Sequence, residues 1–282
     1  MFRTSNPAFS RNESFSPAQT WDDVRGQGHN APREVETGGQ TSGGRSMTVQ
    51  GTVNKTALLL AMCVTTAVCG WNIATSAEPI INPALMTFGS AILGLLISLV
   101  VIFAPKTSPV TAPMYALVEG FFVGGISAFY AQRFGAKEDD MLNTGLIFNA
   151  ALLTFGILGG LLLGYTTRLI RPGPVFRNCV IAGTIGVCLY GLVAMVASMF
   201  GSFSLASVYD PSNGGLVSVG FSLLLVGLAS ANLVLDFEYI ETAAGQRSPK
   251  YMEWYGGFGL LVTLVWLYIE VLRLLAKLRS SE

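Results

Sequence analysis

The sequence predicts an all-α integral membrane protein of seven transmembrane helices, and three observations carry that prediction. About half of the 282 residues are hydrophobic (51 %) and only 12 % are charged, with a mean hydropathy of +0.53, far from the soluble globular range. Seven apolar runs of about twenty residues follow one another, each long enough as a helix to cross roughly 30 Å of hydrocarbon. The breaks between them include EPIINP, APKTSPVTAP, RFGAKEDD, RPGP and DPSNGG, whose Pro, Gly and Asx residues supply turn chemistry.

The first run, KTALLLAMCVTTAVCGWNIAT, occupies residues 55–75, and the second residues 84–104. The third, PMYALVEGFFVGGISAFYAQ, covers 113–132, followed by runs at 142–164, 176–199, 215–240 and 257–279. Small residues at close-packing spacing, in GSAILG, GGIS and GILGG, let helix backbones approach where lipid surrounds them. Residues 1–50, rich in Ser, Gly, Asn and Pro, hold too little apolar surface to offset ordering entropy. They are expected to form a disordered cytoplasmic tail before a transmembrane domain at 51–282. The tail lacks the basic start, apolar core and cleavage site of a secretory signal.

Basic residues set the expected orientation. Arg45 and Lys55, Lys106, Arg168 with Arg171 and Arg177, and Arg247 with Lys250 fall on alternate loops. That side is expected to be cytoplasmic, with the N-terminus on it and the C-terminus outside. On the opposite side, Arg133 and Lys137 are offset by Glu138, Asp139 and Asp140. Seven spans place Arg273, Lys277 and Arg279 outside, against the rule; these three are expected to snorkel to headgroups.

Several chemistries are unsupported. Lysine plus arginine equals aspartate plus glutamate, 17 of each, so net charge points to no nucleic-acid partner. Cys63, Cys69, Cys179 and Cys188 lie in apolar runs without C-x-x-C spacing and read as packing residues. The single histidine, His29, sits in the tail, so the membrane part lacks the imidazole of a zinc triad, a Ser-His hydrolase or a histidine switch. No P-loop or dinucleotide fingerprint is present, and the chain is not expected to be an enzyme or to need a cofactor.

Proton chemistry inside the membrane must therefore use carboxylates, and three lie within apolar runs: Glu119, Asp236 and Glu270. Such residues cost free energy in lipid and face a partner, a cavity or an ion route. Each has a structural alternative. Asp236 could begin a wet helix end, because Glu238 and Glu241 follow. Glu270 could be neutralised by Arg273, three residues on along the same face. Glu119 could make a packing hydrogen bond while protonated. Asp236 and Glu270 are equally far from residue 253, whereas the turn chemistry of AAGQRSP centres near 247. They face each other only if the sixth helix continues to about Gly245 and the aromatic KYMEWYGG stretch lies along the interface.

The segments NLVLDFEYIE, LYIEVLRLL and YALVEGFFVGGIS resemble the Bax-inhibitor (TMBIM) membrane family, in particular a bacterial branch, over roughly residues 50–280. The resemblance implies six helices wrapped around a central C-terminal helix, residence in the bacterial inner membrane, and a pH-sensitive calcium leak. It implies further that an acidic pair on helices 6 and 7, here Asp236 and Glu270, is the sensor and a transient calcium site. Glu119, Glu238 and Glu241 are then secondary acidic positions. Two carboxylates held together at membrane depth cannot both ionise cheaply and would share a proton, while calcium, a hard cation, would compete for their oxygens. The pair here is mixed, Asp with Glu, and the second span lacks an acidic residue and a terminal arginine, so an arginine latch would have to come from Arg273 or Arg168. Two other readings use the same residues: a regulator that binds a membrane protease or translocation machinery, and a proton-coupled cation transporter.

Overall fold

A computed structural model describes residues 46–280 except 77, 80, 135–143, 171, 200–209, 211 and 213. Residues 1–45 with His29, residues 137–140 with Lys137 and the three acids, and Arg171 lie outside the described residues. Seven helices form, each long and apolar enough to cross a membrane: α1 Val49–Thr75, α2 Pro83–Phe103, α3 Ser108–Phe134, α4 Thr144–Thr166, α5 Pro174–Met199, α6 Leu216–Gly245 and α7 Met252–Ser280.

Local chemistry explains the ends. Thr48 caps α1 by accepting from the Gly51 amide at 3.0 Å, so the helix starts ahead of the first apolar run. Asn82 accepts from the Ala84 amide at 3.0 Å, and Pro83 follows at the first helical position of α2, where its missing N–H costs nothing. The helices α4 and α6 run out into left-handed arginines, Arg168 (φ 59°) and Arg247 (φ 53°). The Ile170 amide then returns to the Gly164 carbonyl and the Ser248 amide to the Ala243 carbonyl, satisfying otherwise orphaned helix-end groups.

The last helix is the axis of the bundle, packing chiefly against α1, α3, α4 and α6. Helix α2 lies outside it on α3, and α5 lies outside it on α6, both largely facing lipid. The expected wrapping is therefore two-layered. An outer helix still needs a specific tie, and Asn232 of α6 supplies one by donating to Thr184 Oγ1 of α5 at 2.8 Å.

Residues 46–50 correct the expected tail boundary. The Met47 amide donates to the Ser248 carbonyl at 2.7 Å, and the Met47 side chain is buried. Ser46 bridges Pro249, and Ser108 Oγ donates to the Tyr251 carbonyl at 2.9 Å. The start of α1, the α2–α3 turn and the α6–α7 turn thus meet at one end, which gathers Lys106, Arg247 and Lys250.

The small-residue motifs separate into two kinds. A methyl group on Gly124 would fall on the Ala67 carbonyl, and one on Gly120 on the Cys63 carbonyl, so α1 and α3 touch backbone to backbone. Around Gly156, Gly159 and Gly160 nothing lies within 4 Å of an added methyl, and GILGG, contrary to expectation, makes no close approach. Gly124→Ala is expected to destabilise the bundle by about 1–3 kcal/mol, because backbone cannot yield. Gly159→Ala should be neutral or slightly stabilising. Thermal unfolding of the two variants in detergent compares them directly.

Candidate functional site

Helices α6 and α7 form an antiparallel hairpin whose register is fixed by its polar contacts. Asp236 hydrogen-bonds Thr263, and Lys277 donates to Ser222 Oγ at 2.8 Å and to the Ser218 carbonyl at 3.1 Å. Asp236 with Thr263 and Ser222 with Lys277 are each symmetric about the turn at Pro249 and Lys250. Positions 222, 229 and 236 on one helix and 263, 270 and 277 on the other recur every seven residues, which keeps them on one seam.

That register separates the expected carboxylate pair. The α6 residue level with Glu270 is Ala229, two turns, or about 10 Å along the axis, from Asp236. One condition for their pairing is met, since α6 continues to Gly245, five residues beyond the expected end of the sixth run. The KYMEWYGG stretch is not a separate segment ahead of the last helix: α7 is already helical from Met252, so the turn centres between Pro249 and Lys250 and the two acids remain out of step.

Each acid has its own surroundings. Glu270 is 2 % exposed; its Oε2 accepts from Arg273 at 2.7 Å and its Oε1 from the Trp266 indole at 3.3 Å, both partners on its own helix. Tyr130 of α3 hydrogen-bonds Arg273. Asp236 lies against Thr263, whose hydroxyl donates to the Gly259 carbonyl at 3.2 Å. The Asp236 Oδ2 is buried without a hydrogen-bond partner among the described residues. An orphaned carboxylate oxygen at membrane depth is costly and is a position where a proton or a cation gains free energy.

Glu119 lies elsewhere. It hydrogen-bonds Tyr115, one turn earlier on α3, and Gly94 of α2 packs so closely that a methyl there would come within 2.8 Å of its Oε2. This places Glu119 between α2 and α3, away from the α6–α7 seam. Glu238 and Glu241 also miss the seam. They line the mouth of an 880 Å³ cleft with Arg168, and Glu241 accepts from the Tyr165 hydroxyl. Asp236 itself lies nine residues before the end of α6.

Two functional-looking residues escaped sequence reasoning. Lys277 does not snorkel: it is 0 % exposed, its ammonium held by the Ser218 carbonyl and Ser222. Arg273 is bound to Glu270 in the same way, which leaves only Arg279 of the three exposed and removes most of their weight against the charge rule. Glu253, 1 % exposed, accepts from the Thr48 amide and hydroxyl at 3.0 Å each and from Lys250 at 2.6 Å. It ties the start of α7 to the start of α1, where the α1 dipole favours an anion. The sevenfold spacing of Ser222 and Asp236, and of Thr263, Glu270 and Lys277, is the signal that could have found the seam.

Replacing Lys277 by Met keeps the stem and removes the charge. Loss of its bonds would leave the Ser222 hydroxyl short of a donor at a cost of about 1 kcal/mol, so the fold should survive. Unfolding midpoints in detergent should differ by only a few degrees.

A bundle of seven membrane helices, built around a last helix that carries Thr263, Glu270, Arg273 and Lys277 through the bilayer, defines a multi-pass membrane protein with an ionisable core. A family model described as Bax inhibitor 1 like matches residues 6–280, nearly the whole chain, and the protein belongs to that family. Comparison with curated proteins and with solved structures returns no match.

Proposed function

We propose that this Bax-inhibitor family protein is a passive, pH-sensitive cation leak of the bacterial cytoplasmic membrane, with calcium as the conducted ion and Asp236 as the sensor. The observation that carries the reading is the buried, unpartnered Oδ2 of Asp236 inside the α6–α7 seam. A proton on this carboxyl keeps the seam apolar and packed. Ionisation in the closed seam has no counter-charge at hydrogen-bond distance, so the charged form favours a parted seam where water and cations reach the oxygens.

Gating then differs from a proton shared by two facing acids. Glu270 lies two turns away and is paired with Arg273, the latch being formed within α7. Lys277, beyond it, places a second cation on the same seam, and the pair of cations opposes cation entry until α6 and α7 separate. Calcium prefers oxygen ligands, and the seam offers the Asp236 carboxyl and the Thr263 hydroxyl. No group of three His, Cys, Asp or Glu able to hold a metal exists among the described residues, which suits a passing ion better than a resident one. The family likeness supports the choice of calcium. The gathering of Lys106, Arg247 and Lys250 at one end supports a cytoplasmic start of α1.

Purified protein in liposomes loaded with a calcium indicator, read across a pH series, tests the reading. Calcium influx that grows from acid to neutral pH is the expected result. Proton counter-movement coupled to calcium would make the protein an exchanger, and absence of flux would favour a regulator of a membrane protease or translocation machinery.

A further inference from the structure

Two cavities open between α1 and α4, and Leu60 and Leu264 line both. The inner one, about 280 Å³, reaches Trp71 over a floor of α3 and α7. The outer one, about 880 Å³, opens between Val49, Arg168 and Glu238. Joined at the two leucines, they form one slot along the flank of the bundle, whose wall includes the lipid-exposed Val68 and Phe155.

The inner part of the slot is almost wholly apolar. Ser127 Oγ and the Tyr268 hydroxyl bond each other at 2.8 Å, and Thr154 Oγ1 donates to the Ala150 carbonyl at 2.8 Å. An ion or a sugar entering it would lose its hydration without replacement, whereas an acyl chain would give up nothing. The mouth is different. Glu238 and Glu241 line it together with one guanidinium among the described residues, Arg168, and the Tyr165 hydroxyl donates to Glu241. Two carboxylates beside one guanidinium complement a zwitterion, the former accepting from an ammonium and the latter donating to a phosphate.

We propose that the α1–α4 slot binds one phospholipid with a primary-amine zwitterionic headgroup, its acyl chain in the inner cavity, its ammonium on Glu238 and Glu241 and its phosphate on Arg168. The bilayer delivers this ligand laterally. Chain and headgroup are recognised by different parts of the slot, so they separate under mutation. This site is independent of the Asp236 seam and of any ion flux.

Full-length protein in detergent, titrated with palmitoyl-oleoyl phosphatidylethanolamine, phosphatidylcholine or phosphatidylglycerol and read by native mass spectrometry, tests the proposal. One phosphatidylethanolamine per chain is expected, bound about tenfold more tightly than phosphatidylglycerol, as one charge-assisted hydrogen bond supplies. Phosphatidylcholine, which has the charge but no N–H, should fall between. Filling the slot from either wall, by Ala151→Trp or Val68→Trp, should abolish binding in whichever variant keeps the parent's unfolding midpoint. Glu238→Gln with Glu241→Gln should retain lipid and erase the headgroup preference. Equal retention of all three lipids by the parent, no retention at all, or undiminished retention in both tryptophan variants overturns the proposal. So does retention that appears only after residues 1–45 are removed, which would assign the slot to the tail.

Discussion

Glu270→Gln is expected to destabilise the bundle by roughly 3 kcal/mol, the lower end of the cost of leaving one member of a buried ion pair without its partner. Arg273 is the residue left behind. Its guanidinium sits 2.7 Å from Glu270 Oε2 with a side chain only 13 % exposed, and the amide of glutamine brings no compensating charge. Adding Arg273→Met, which keeps the apolar stem and removes the charge, should restore most of the loss. Unfolding of the single and double variants in detergent measures both effects. A Glu270→Gln protein as stable as the parent would mean that water already neutralises Arg273, and the latch would have no energetic basis.

The second large effect concerns flux. Asp236→Asn holds the seam in its neutral form at every pH, so calcium flux should stay low and flat where the parent's rises from acid to neutral conditions. The sign follows from which state ionisation penalises: the charged carboxylate is costly only in the closed seam, so raising the pH stabilises the open one. Asparagine keeps the size and can still bond Thr263, so insertion and stability should be unchanged. A variant whose flux followed pH like the parent's would remove Asp236 from the sensor. The register adds a sharper expectation. Because Asp236 and Glu270 lie two turns apart and bond different partners, combining Asp236→Asn with Glu270→Gln should give nearly additive changes in stability. Strong coupling between them would mean that the helices slide by about two turns to bring the acids together.

Much of this protein was legible in the sequence because lipid makes the rule simple. A chain in hydrocarbon must satisfy its backbone internally, so composition, the lengths of the apolar runs and the Pro- and Gly-rich breaks suffice to name seven helices, although four of them extend five or six residues beyond the expected runs. The intramembrane acids were equally visible, since Glu119, Asp236 and Glu270 stand out against apolar neighbours. Even the Glu270–Arg273 contact was readable, as it needs only the periodicity of one helix.

What only tertiary structure decided is the relation between helices. The alignment of Asp236 with Thr263 instead of Glu270 depends on where α6 stops and α7 starts, and the left-handed Arg247 and the early helical turn at Met252 set that register. Gly245 and Pro249 announce the turn, but not the helix ends that set its register. Lys277 looked like a snorkelling lysine because its sequence neighbours show only a helix end. It is buried because Ser218 and Ser222, more than fifty residues earlier, reach the same level of the seam. Likewise, no pattern within α1 or α4 foretells the slot between them, which exists because α3 and α7 hold the two helices apart. Single-helix periodicity fixes which face a residue is on, but the depth and partner of that face come from long-range packing, where register is set by a few contacts distant in sequence.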